Sequence, residues 1–115
     1  MLVIRSEQIA ALTAAVVAEF ELRLVGHVQK YFPKTCRRLG DRAVRELIRG
    51  AVVRAEQHGI TSQRDVCKYV DVAVVFGPRF DVENEWAAEI LRRREDSGRR
   101  IQALYQAARH FVGQS

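Results

Sequence analysis

A chain of 115 residues, 48% hydrophobic and 29% charged, has the make-up of one globular domain, and no Gly-, Ser- or Pro-rich segment divides it. No window of 18 apolar residues occurs, and residues 1–5 do not form a basic leader before an apolar stretch. Neither a membrane span nor a secretory signal is therefore expected, and the reading is a cytoplasmic protein. Nineteen Lys and Arg against fourteen Asp and Glu leave a net charge of +5, carried almost entirely by arginine, whose planar guanidinium suits carboxylates and phosphates.

Ser6 is placed to cap a first helix. From there Ile9, Leu12, Val16, Phe20, Leu24, Val28 and Tyr31 recur at three- and four-residue steps until Pro33 forbids continuation. This predicts an amphipathic helix of about 25 residues as the spine of the domain. Leu22 and Val25 fall off the stripe, so the helix is expected to be covered on more than one side. Asp41, after Gly40, is placed to cap a second helix whose inner face carries Val44, Leu47, Ile48, Ala51 and Ala55 and which ends near His58 and Gly59. Arg38, Arg42, Arg45 and Arg49 form a basic stripe on its other face, with Arg54 nearby.

Gly59 can adopt the left-handed conformation that closes a helix, while Ser62 and Asp65 have the spacing of a capping box, in which each side chain satisfies an orphan amide. A third helix then turns Val66, Tyr69, Val70, Ala73 and Phe76 inward. Residues 70–76 also alternate as a strand would. The helix is preferred because the capping box starts it, Gly77 and Pro78 end it, and no partner strand is visible. A loop over 79–83 leads to a helix with Trp86, Ala87, Ile90 and Leu91, and Ser97-Gly98 breaks the pattern after the charged stretch 92–96. A last helix aligns Ile101, Leu104, Tyr105, Ala108, Phe111 and Val112. The expected architecture is all-α: a single compact domain over 1–115, about five helices, no internal repeat.

The junction near Gly59 invites a helix-turn-helix reading, but the phase puts Asp65 and Lys68 where that motif buries apolar residues. Asp71, inside the most apolar stretch, needs a partner such as an arginine, or an exit to solvent. His27, His58 and His110 have no His, Cys or carboxylate at metal-ligand spacing, so no metal is expected. Cys36 and Cys67 read as reduced thiols in or near the core. No phosphate loop, nucleophile elbow or Cys–His arrangement is visible, so no catalytic residue, no cofactor and no enzymatic activity are expected. What remains is a binding surface: the stripe Arg38, Arg42, Arg45 and Arg49, whose like charges gain most from an acidic partner, and the aromatics Phe80 and Trp86 as a docking edge if exposed.

Phe32-Pro33 with Cys36 and Leu39-Gly40, then Gly59-Ile60, Ser62, Arg64-Asp65-Val66-Cys67 and Tyr69, then Phe76-Gly77, Phe80-Asp81, Trp86-Ala87, Ile90-Leu91 and Leu104-Tyr105, form a spacing pattern. In it the chain resembles small uncharacterised all-helical bacterial proteins encoded beside type VI secretion spike and polymorphic-toxin effector genes. The resemblance covers nearly the whole chain and rests on caps, turns and core positions; it carries over no catalytic residue. The arginine-rich segment 92–100 departs from the looser acidic or proline-containing loop of similar proteins. The resemblance implies a cytoplasmic adaptor or chaperone that binds a secretion effector, toxin or spike component. An immunity protein that neutralises a toxin, a basic nucleic-acid-binding helical protein, and self-association through a helical face are the alternatives.

Overall fold

A computed structural model describes the backbone of residues 6–114 and the side chains of 14–112; Ser6, Ile9 and Leu12 as cap and stripe positions lie outside the described side chains. Seven helices follow one another: α1 (Ser6–Tyr31), α2 (Pro33–Leu39), α3 (Asp41–Gln57), α4 (Gln63–Phe76), α5 (Phe80–Glu83), α6 (Glu85–Leu91) and α7 (Ser97–Gln114). The all-helical expectation holds, and residues 70–76 are helix. Two short helices, α2 and α5, bring the count above five. Pro33 ends α1 and also opens α2, since a proline lacks only an amide that the first helical turn leaves unpaired anyway. Gly40, at φ 86°, is the cap of α3, with Asp41 its first residue and no side-chain cap, so Asp41 is not the capping residue. Ser97 and Gly98 lie inside α7, whose first turn is capped from Asp96, Oδ1 accepting from the Arg99 amide at 2.8 Å.

The turn between α3 and α4 was legible residue by residue. Gly59 has φ 77°; its amide bonds the Glu56 carbonyl and the Ile60 amide reaches back to the Ala55 carbonyl, both at 2.9 Å, which is the Schellman pattern, with Ile60 buried beneath it. Ser62 Oγ accepts from the Asp65 amide at 3.2 Å, but the reciprocal half of the capping box is missing: Asp65 is buried, and its Oδ1 accepts no hydrogen bond and has Arg64 Nε 3.9 Å away.

α4 is the central helix. It packs against α1, α3, α5 and α7, and Val66, Tyr69, Val70, Val72, Ala73 and Val74 are all buried. Leu24 and Val28 of α1, Val44, Ile48, Ala51 and Ala55 of α3, and Ile101, Leu104 and Ala108 of α7 complete the core around it.

α5 is held by two adjacent side chains pointing into different layers. Phe80 is fully buried against Tyr69, ring centroids 4.8 Å apart, and Asp81 is buried against the C-terminal turn of α3. There Arg54 and His58, one turn apart on α3, converge on it: Arg54 Nε lies 3.0 Å from both carboxylate oxygens, Arg54 Nη2 donates to Oδ1 at 2.8 Å, and His58 Nε2 is 2.9 Å from Oδ2. Arg54 thus leaves the basic surface and serves the core.

Arg100, in the first turn of α7, ties three separate segments together. Its Nη2 donates to the His58 carbonyl at 2.8 Å, Nη1 to the Leu91 carbonyl at 3.0 Å and Nε to the Glu95 carbonyl at 3.1 Å. These carbonyls belong to helix ends and a turn, where no intrahelical amide reaches them. Charge-assisted bonds of this kind contribute about 1.5–3 kcal/mol each when removed singly, so Arg100→Ala is expected to lower the unfolding free energy by about 2–3 kcal/mol in urea titration. Arg100→Lys should recover less than half of the loss, because one ammonium cannot span the three carbonyls.

Candidate functional site

The core-facing side of α1 steps back from Val28 through Leu24 and Phe20 to Val17. Leu24 and Val28 are 2% and 1% exposed, yet Val17 is 40%, Val16 54% and Leu22 63% exposed. The helix packs on α2, α3 and α4, and among its described side chains exposure rises from Val28 and Leu24 to Val17 and Val16. Two open clefts flank this stretch, the arm of α1. One, of about 230 Å³, lies between Ala18, Leu22 and Val25 of α1 and Arg45, Ile48 and Arg49 of α3. The other, of about 290 Å³, is lined by Val16, Val17 and Phe20 on one side and by Val52, Ile60 and Val66 on the other. The expectation that Leu22 and Val16 are covered within the fold is therefore corrected: both are more than half exposed.

α3 lends the first cleft its charge. Arg49 Nε lies 3.6 Å from Glu21 Oε2 across the opening, and Arg42 pairs with Glu46 at 3.4 Å, both side chains largely in solvent. Arg45, between them, is exposed and forms no ion pair among the described residues. Arg38 is exposed too, but it belongs to α2, and the turn at Gly40 separates it from the other three. The four-arginine stripe is thus three arginines on α3 and a fourth on a neighbouring helix.

Phe80 has no exposed surface and is a core anchor, so it cannot belong to a docking edge. Trp86 is half-buried, stacked on Phe111 at 4.9 Å with the Phe76 ring edge-on at 5.2 Å. The aromatic edge that reaches solvent is Trp86 with Phe111 from the far end of α7.

No family model, curated protein or solved structure matches this chain. Function must be argued from its own surface and side chains.

The buried Asp81 and the half-buried Asp71 sit in opposite electrostatic circumstances. Burial alone would raise the Asp81 carboxyl, but the hydrogen bonds and charge of Arg54 and His58 overcome it and hold it below the usual range. Asp71 is held by His27, Nε2 to Oδ1 at 2.7 Å, and not by an arginine. Here burial dominates and pushes the carboxyl up, with His27 and Tyr105 only partly offsetting it. The two signs have opposite consequences. Asp81 contributes stability that is present above the unfolded value of about 4 and lost as pH falls through its folded value. Ionised Asp71 costs stability at neutral pH, a cost relieved as pH falls through its raised value. Carboxyl carbon shifts followed by NMR are expected to titrate in that order, Asp71 above about 4 and Asp81 below it; the reverse order would refute this account.

Proposed function

We propose that the chain is a non-enzymatic protein-binding accessory, an adaptor or chaperone that holds a type VI secretion effector or spike component on the arm of α1. One observation carries the binding reading: Val16 and Val17, towards the N-terminal side of the inward apolar stripe of α1, and Leu22, off that stripe, are exposed beside two apolar clefts. The cargo class is suggested only by the resemblance in spacing. An amphipathic helix of the partner laid along the arm would fill the clefts with its apolar positions, and acidic residues on its flank would meet Arg45 and Arg49. Glu21 and Glu46, interleaved with these arginines, would repel a phosphate backbone, which favours a protein partner over nucleic acid.

The experiment is capture from the native host's lysate by the tagged chain, with and without nuclease, together with its mass in solution. A stoichiometric secretion or toxin-associated protein that survives nuclease is expected. Nuclease-sensitive recovery of nucleic-acid-binding proteins would replace this reading with the nucleic-acid one, and a homodimer with no captured protein would assign the arm to a second copy. If the captured protein is a toxin whose toxicity co-expression relieves, the role is immunity.

A further inference from the structure

We propose that His27, Cys67 and Asp71 form a binding site for a thiophilic divalent transition metal, with Zn²⁺ its ordinary occupant. A ring nitrogen, a thiol sulfur and a carboxylate oxygen from these residues all lie within 4.8 Å of one another. Cys67 and Asp71 are one turn apart on α4, the spacing that aims two ligands from one helix face at one ion, and His27 comes from α1 where the helices meet. Zinc bonds of about 2.0–2.3 Å in tetrahedral geometry place ligand atoms roughly 3.3–3.8 Å apart. The His27–Asp71 contact would open slightly from 2.7 Å and Cys67 would close by roughly 1 Å, both within rotamer adjustment.

The chemistry of the set supports an ion better than it supports an empty cluster. His27 Nε2 and Asp71 Oδ1 are at hydrogen-bond distance, and a metal ion would take the place of the proton between them, with the imidazole proton on Nδ1. The thiol would lose its proton to solvent on binding. One thiolate, one carboxylate and a neutral imidazole then balance a divalent charge in a half-buried pocket, where burial otherwise penalises both anions: it pushes the Cys67 thiol up, and nearby Asp71 adds to that. Three protein ligands would leave a fourth position open, and His27 and Asp71 line an open cleft of about 450 Å³ with Tyr31, Phe32 and Tyr105. Sequence spacing could not disclose the set, because His27 lies 44 residues before Asp71.

The test uses the full chain, stripped of metal by chelator and titrated with Co²⁺. A thiolate-to-cobalt charge-transfer band and intense tetrahedral visible bands are expected at one equivalent, displaced by Zn²⁺. Cys67→Ser should abolish the charge-transfer band while Cys36→Ser leaves it. His27→Gln and Asp71→Asn should each weaken Co²⁺ binding by more than about 100-fold, beyond what loss of a residue that only orients a ligand costs. Far-UV circular dichroism of each variant confirms that the helices remain. No charge-transfer band in the parent chain, or a band that survives Cys67→Ser in a folded variant, overturns the site. It does not depend on the docking arm, so failure of one reading leaves the other standing.

Discussion

Arg54→Ala is expected to lower the unfolding free energy by about 3–5 kcal/mol, a large share of the 5–15 kcal/mol typical of such a domain. The loss comes less from the missing attraction than from what remains. Asp81 keeps a side chain only 4% exposed, and without the two-pronged guanidinium it faces His58 and the Tyr69 hydroxyl. A buried carboxylate deprived of its main partner must stay charged at high cost or take up a proton, so the variant's carboxyl should titrate above that of the parent chain. The double variant Arg54→Met with Asp81→Leu separates the two contributions. If the cost lies in the orphaned charge, the double variant recovers more than half of the stability lost by Arg54→Ala; if it is no more stable, the pair itself holds α5 to α3. Thermal and urea unfolding read both outcomes.

The second large effect concerns binding far more than stability. Val17→Asp with Leu22→Asp is expected to weaken the complex with the captured partner by at least about 100-fold, since two apolar anchors in flanking clefts at about 2 kcal/mol each exceed that factor. Leu22 is largely in water and should change the unfolding free energy by no more than about 0.5 kcal/mol, and Val17, 40% exposed, by about 1 kcal/mol. Val82→Asp, equally exposed on α5 away from the arm, is the control and should bind as the parent does. Reversing Arg45 and Arg49 to Glu should act more weakly, through a slower association rate and a flattened salt dependence. Unchanged affinity in the Val17/Leu22 variant, measured by calorimetry, would remove α1 as the docking element.

Where the chain states its structure through local stereochemistry, sequence alone was enough. Pro33 ends α1, Gly59 closes α3 in a left-handed turn, Ser62 opens α4, and Gly77 stops it at φ 103°. Each depends on the residue and its immediate neighbours. Of the two short helices that sequence reading missed, α5 depends on distant ones. α5 spans four residues, too few to carry its own periodicity, and exists because Phe80 finds Tyr69 and Asp81 finds Arg54. Of the expected binding residues, Arg42, Arg45 and Arg49 were readable from their spacing on one helix. Phe80 misled because an aromatic beside arginines reads alike in a core and at an edge. Val16 and Leu22 misled for the complementary reason: hydrophobic periodicity reports which side of a helix is apolar and is silent about how far the covering layer extends. The His27–Asp71 contact had no local signal at all, since it arises only when α1 crosses α4.

The exposed stretch of α1 around Val16 and Val17 also bears on how long the chain would persist. A helical stretch that tertiary packing covers only in part opens more often than the core, and transient opening is what proteases act on. A ligand that binds only the closed form adds to its stability in proportion to the logarithm of its concentration. Under the docking reading, unaccompanied copies would be cleared faster than accompanied ones, so the abundance of this protein would follow that of its cargo without any separate control over its synthesis.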